Sequence, residues 1–399
     1  MRRYGRWVEG TVLEDEWVED GEDEEEVERE IEKAKISVGP SCHTYTWSAS
    51  GLYSFKVISY TIQKYMKGIS SDLREERLGS TEFEYDYGRR AEILTRGRII
   101  FAVNGRIFVY STDNKDGTNS IYSNHDIGGL VETLKKEIRE NNPLRNKHIQ
   151  VVGMDHGTDF CCLLKKPPSI TFDDIVLDGA MKEDIFDNTI FHLKSIKGNN
   201  GIIVHGDPGT GKSMICQAVI NEALKEGYST CFVTARVDYA MFSEFLTTFF
   251  GRCIVIFEDI DSIGQDREHV LNSHLSDFLQ FISGLYERED GMVFIATTNY
   301  IEHPDRAIAN RPVRFNRKFR IELPTDGEIR RLVALYFKDA PVEPEFCCGK
   351  KFTGAHIKEI HRTAELLSLK RGVPVAETYG DAVRFVERNF TTQTASTGF

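Results

Sequence analysis

No run of about 18 apolar residues occurs anywhere in the 399-residue sequence, so nothing in it reads as a membrane span. The opening MRRYGRWVEG carries Arg2, Arg3 and Arg6 with no apolar segment behind them, and no signal or transit peptide is expected. The eight cysteines fall singly or in the doublets Cys161-Cys162 and Cys347-Cys348, without a CxxC pair or a Cys/His cluster at zinc spacing. That usage argues against a disulfide framework or structural zinc and for a reducing, cytoplasmic setting. Basic charge is also short: the net charge is -12, and residues 1–35 alone hold 14 acidic against 6 basic side chains, or -8, which leaves -4 for the rest. Nucleic acid is therefore not an expected partner. There is no internal repeat.

What is present is ordinary globular material, 40% hydrophobic and 28% charged, enough to bury a sizeable core over roughly two to four domains. Residues 1–35 include EDEWVEDGEDEEEVEREIE, too charged to order itself, and are expected to be a solvated, disordered tail. Residues 36–164 have the texture of a small α+β domain. RIIFAVNGRIFVYS places Asn104-Gly105 between apolar runs, a type I′ hairpin signal, and Leu130, Leu134 and Ile138 fall at helical spacing. No catalytic constellation stands out there, so this region is the candidate substrate or adaptor module. KKPPS, from Lys165, reads as a boundary, since consecutive prolines stop both helix and sheet. Strands and amphipathic helices then alternate over 165–324, the pattern of a parallel α/β sheet. Residues 325–390 read as helical, opening on a Thr325/Glu328 capping box, and 391–399 as a flexible tail.

GIIVHGDPGTGKSMICQAVI sets an apolar strand before Gly206-Asp207-Pro208-Gly209-Thr210-Gly211-Lys212-Ser213 and a helix after it; these residues and Met214 are the expected nucleotide contacts. This is GxxxxGKS in its confirming strand–loop–helix context. The glycines let backbone N–H groups turn toward phosphate oxygens, and the helix N-terminus adds its positive end. Lys212 is expected at the β- and γ-phosphates of ATP and the Ser213 hydroxyl at Mg²⁺. Further on, CIVIFEDIDSI runs as a continuous apolar strand into Glu258 and Asp259, with Asp261 beyond. A strand buried on both faces delivers its C-terminal side chains to the ligand crevice. By position Glu258 takes the metal role, and Asp259 orients or deprotonates the attacking water.

These motifs resemble those of the AAA ATPases over about residues 170–390. ATTN, ending in Asn299, is similar to the family's sensor-1 segment, whose Asn helps position the lytic water. NRPVRF resembles the segment that supplies arginine fingers to the neighbouring subunit; the match falls on Arg311 and Arg314, with Val313 in place of the usual Gly and Asn310 as an extra residue. ITFDDIV, with Asp174, Ile175 and Val176, looks like the linker that touches adenine, and FTGAHI, with Gly354 and Ala355, looks like the start of the lid. The family usually orders the carboxylates Asp-Glu. The Glu258-Asp259 order is similar to that of the Bcs-type AAA ATPases, which assemble mitochondrial complex III, although their membrane anchor has no counterpart here. The interval between TCFVT and CIVIF is also shorter than in protein-threading members. Within it Tyr239 or Phe242 offers either a pore-loop aromatic or the core of a short helix.

The resemblance implies a P-loop NTPase of the AAA+ type: a parallel α/β sheet core with a C-terminal helical lid, behind the smaller N-terminal α+β domain. It implies an ATP- and Mg²⁺-dependent ATPase working as a homo-oligomeric ring, a hexamer or heptamer, that remodels or translocates a protein substrate. The alternatives are a nucleic-acid-acting AAA+ protein of the helicase-loader kind and a nucleotide-gated scaffold that barely turns ATP over.

Overall fold

The computed structural model describes residues 6–8, 11–13, 43–49, 52–153, 160–234, 237–260, 278, 280–284, 291–299, 315–338 and 340–390. The expected tails at 1–35 (apart from two short strands) and 391–399 lie outside the described residues. The chain divides into two units, Met1–Phe83 with Ala91–Glu137, and Glu84–Arg90 with Ile138–Phe399.

In the first unit, β1 (Arg6–Val8) and β2 (Thr11–Leu13) form a small antiparallel pair. The strands β3 (His43–Ser48), β4 (Asp72–Asp86), β5 (Arg89–Val103), β6 (Arg106–Asp113) and β7 (Thr118–Ser123) build a sheet in the order β3-β7-β6-β5-β4. Asn104 (φ 51°) and Gly105 (φ 73°) join β5 to β6, the left-handed pair that a type I′ turn requires. Helix α1 (Leu52–Ile69) buries Phe55, Ile58, Ile62 and Met66 at helical spacing. Its Ser59 hydroxyl donates to Asn119 Oδ1 of β7 at 2.8 Å, and Gln63 exchanges two hydrogen bonds with the Leu94 backbone of β5. Helix α2 (Gly128–Glu140) buries Val131, Leu134 and Ile138; Leu130, expected on that stripe, is half-buried one residue to its side.

The second unit holds a seven-stranded sheet of β8 (His148–Gly153), β9 (Phe160–Lys165), β10 (Asn200–Gly206), β11 (Ser229–Val233), β12 (Cys253–Phe257), β13 (Val293–Thr298) and β14 (Arg317–Ile321). The order is β14-β10-β13-β12-β11-β8-β9, parallel throughout except for β9. The strands β8 and β9 lie on the N-terminal side of the boundary expected at Lys165. They belong to this sheet because β8 pairs in parallel with β11, Thr230 opposite His148. Both β12 and β13 are buried along their whole length; β12 is apolar throughout, and β13 ends in the buried Thr297 and Thr298.

Helix α3 (Gly179–Phe186) is N-capped by Asp178. On one face of the sheet, α4 (Lys212–Lys225) packs Ile215, Val219 and Ile220 against Ile202, Val204, Ile254 and Ile256. Helix α5 (Tyr239–Phe249) supplies an aromatic cluster: Phe242, fully buried, lies 6.4 Å from Phe257 and 5.7 Å from Phe281 between ring centroids. Tyr239, half-buried, lies 5.7 Å from Phe278 and 5.2 Å from Phe281, so Phe242 is a core side chain and Tyr239 packs at the edge of the same cluster. C-terminal to the sheet, α6 (Asp326–Tyr336) opens on the expected Thr325/Glu328 capping box. It shares an apolar core with α7 (Gly354–Arg371) and α8 (Val375–Phe390).

Candidate nucleotide-binding and catalytic site

The phosphate loop runs from the end of β10 into α4. Gly206 has φ 150°, and a Cβ there would collide with the Ile321 carbonyl oxygen of the neighbouring strand. Gly209 has φ 80°, and a Cβ there would come within 2.8 Å of Thr353 Oγ1 and 2.9 Å of Ala355 Cβ. These two glycines answer to different neighbours, one to the sheet and one to the helical segment. The Ala355 N–H donates to Gly209 O at 3.2 Å, so the start of α7 is hydrogen-bonded to the loop itself.

Lys212 opens α4 and is buried. Its Nζ donates to Gly206 O at 2.8 Å, Asp207 O at 3.0 Å and Asn299 Oδ1 at 2.8 Å. Asn299 follows β13 directly, so a phosphate-loop side chain and a residue from a distant strand end meet in one hydrogen bond. The turn carrying the two carboxylates is pinned to the same strand: Asp259 N donates to Thr297 Oγ1 and Ile260 N to Thr297 O, each at 2.9 Å. Asp259 itself has φ 47°, a left-handed conformation that Asp adopts more readily than most residues. Its side chain is exposed, and that of Glu258 is half-buried. Both carboxylates lie near the second turn of α4, where Cys216 is fully buried. Its thiol is pushed up in pKa first by burial and then by the charges of Glu258 and Asp259.

A cavity of about 400 Å³ opens over the loop. Of the expected contacts, Pro208 to Met214, Asp174, Ile175, Val176, Gly354, Ala355, Asp259 and Asn299 all line it. Gly206 and Asp207 lie below it, turning their carbonyls to Lys212, and Glu258 does not line it. Arg311, Arg314 and Asp261 lie outside the described residues. The Asp174 carboxylate accepts from both N and Oγ1 of Thr171, at 2.9 and 2.8 Å, which holds it below the usual carboxylate range; Lys338 adds a smaller electrostatic pull.

The apolar lining from α6 was not expected from the sequence. Leu332, Leu335 and Tyr336 come from α6 and line the cavity together with Ile175 and Val176, forming an apolar end suited to a flat base. Burial raises the Tyr336 phenol. Glu322, Glu328 and Lys358 add charge to the same lining. The capping box identified Glu328 only as a helix-start residue.

The family model described as "ATPase family associated with various cellular activities (AAA)" matches residues 202–323. The ATP-dependent zinc metalloprotease FtsH 1 of Alkaliphilus metalliredigens is 29% identical over 234 residues, covering 52% of this chain and 39% of that protein. Protein CdcH of Halobacterium salinarum is 27% identical over 202 residues, 46% of this chain and 27% of its own length. The ATPase family AAA domain-containing protein 2 of Mus musculus is 25% identical over 225 residues, 49% and 21% respectively. The chain thus spans well under half the length of these relatives. Residues 202–323, which hold the phosphate loop, are an ATP-hydrolysing domain of the AAA family.

Proposed function

We propose that the chain is a Mg²⁺-dependent ATPase that works as a homo-oligomeric ring, hexameric or heptameric, and couples hydrolysis to the remodelling or translocation of a protein substrate. The observation that carries the nucleotide chemistry is the Lys212–Asn299 hydrogen bond of 2.8 Å beside Asp259, because three separate motifs converge on one cavity. In the proposed mechanism the loop N–H groups and Lys212 hold the phosphates, a phosphate oxygen replacing one of the three acceptors now on Nζ. The donor set fits a hard divalent cation, since the Ser213 hydroxyl and the Glu258 carboxylate offer only oxygen. Ser213 and Glu258 would hold Mg²⁺, which would supply charge neutralisation to the phosphates. Asp259 orients the attacking water and takes its proton, and Asn299 holds that water in line. Arg311 and Arg314 reach the transition state of the neighbouring subunit.

The Glu258-Asp259 order and the short interval before β12 support an affinity with the Bcs-type branch. The names of the relatives, an ATP-dependent protease among them, support a protein as substrate. Among the described residues no helix is long and apolar enough to cross a membrane, and no group of three or more His, Cys, Asp or Glu is placed to hold a metal ion.

The test is Asp259→Asn, which keeps the shape of the carboxylate and removes its basicity. It should bind Mg·ATP as the wild type does and lose turnover by about 10²-fold or more. Glu258→Gln should instead raise the Mg²⁺ concentration needed for hydrolysis. An exchange of the two phenotypes would reverse the assigned roles.

A further inference from the structure

A second cavity, also of about 400 Å³, lies at the β8–β9 edge of the seven-stranded sheet, on the side covered by α4. Its charge is anomalous. The chain carries 62 acidic against 50 basic side chains, and the nucleotide cavity is lined by Asp174, Asp259, Glu322 and Glu328. Among the described residues no carboxylate lines this second cavity, whereas Lys165 and Lys166 do. Neither lysine has an ion-pair partner among the described residues. A pair of unneutralised cations in an acidic protein marks a place where an anion is favoured.

His148, paired in register with Lys165, lines the same cavity and is only 8% exposed. Its Nδ1 is 2.9 Å from Thr230 Oγ1, and its Nε2 has no partner among the described residues. In the tautomer in which Nδ1 accepts the Thr230 hydroxyl proton, Nε2–H is an unpartnered donor left accessible at the cavity lined by His148. Burial first, and the charge of Lys165 second, push the imidazole pKa down to about 4, so it meets a ligand as a neutral donor at pH 7. The remaining wall mixes the amide of Gln217 with the ring of Phe232. The Phe232 and His148 ring centroids are 6.3 Å apart at 67°, giving a flat ligand one apolar surface and one hydrogen-bonding edge.

We propose that this cavity is a second ligand site, separate from the nucleotide site, for a small organic oxyanion on a flat apolar body. Lys165 and Lys166 bind the charged group, His148 Nε2–H donates to it, and Phe232 covers the apolar part. The site touches α4, whose first residue is Lys212. It also touches the linker at Ile170, whose carbonyl accepts from Asn221 Nδ2 of α4 at 2.9 Å and which leads to Asp174–Val176. The proposal does not depend on the ATPase assignment.

Calorimetric titration of the full chain tests it, with phenyl phosphate, benzoate and inorganic phosphate as probes and a saturating non-hydrolysable ATP analogue with Mg²⁺ in the cell. At least one of the two aromatic probes should bind saturably, one per chain, and more tightly than inorganic phosphate; the tighter of the two identifies the charged group. The K165E/K166E variant should weaken binding by about tenfold or more, while K165R/K166R retains it. The proposal is overturned if neither aromatic probe binds below about 10 mM, if the ATP analogue displaces it, if inorganic phosphate binds equally well, or if charge reversal changes nothing.

Discussion

The Lys212 ammonium is held by three oxygens contributed by two segments far apart in sequence, and this explains why one side chain should dominate nucleotide affinity. In Lys212→Ala the loop keeps its glycines but loses its charged donor to the phosphates. Equilibrium dialysis should show ATP affinity down by about tenfold or more; affinity near the wild-type value would count against the site. His148 gives a residue-scale prediction of another kind. Its folded pKa of about 4 lies below the usual value of 6.5 because the imidazole is buried beside Lys165. Between those two pH values the unfolded chain binds the proton and the folded chain does not, so acidification through that window destabilises the fold. Above pH 6.5 the group contributes no pH dependence. The full effect is about 3 kcal/mol, and His148→Gln should flatten the difference in urea midpoints measured at pH 7 and pH 4.

At the scale of elements, the short helix α5 decides between two uses of an aromatic. Phe242 is fully buried among Phe245, Phe257 and Phe281, so Phe242→Ala should cost about 3–5 kcal/mol, seen as a large fall in the thermal midpoint. A substrate-gripping side chain would instead lose coupled activity at unchanged stability. The elements legible in the sequence were those fixed by neighbouring residues. Asn104-Gly105 dictates its hairpin, Thr325 and Glu328 cap their own helix, and the glycine loop requires a strand before it and a helix after it. What was not legible depends on distant pairing. Nothing near His148 announces that β8 will lie in parallel beside Thr230, and nothing near Tyr336 announces that α6 will close the apolar end of the nucleotide cavity. The membership of β8 and β9 in the sheet was therefore missed.

At the scale of the whole molecule, the cavity holds what one subunit needs to bind a triphosphate: the loop, Lys212, Asp259 and Asn299. The transition-state charge remains to be met, and the proposed donors, Arg311 and Arg314, act on a neighbour. An arginine supplied in trans contributes on the order of 10³ to 10⁵ in turnover in related phosphoryl transfer, so hydrolysis should follow assembly closely. Head-to-tail contacts of this kind close into rings, and dilution below the assembly constant should silence the site without emptying it. The most direct measurement is ATP hydrolysis per subunit across a dilution series, with sedimentation on the same samples. With the arginine supplied in trans, the rate should climb as the oligomer forms and then level off. A monomer that hydrolyses ATP at the full rate, with no dependence on concentration, would contradict it.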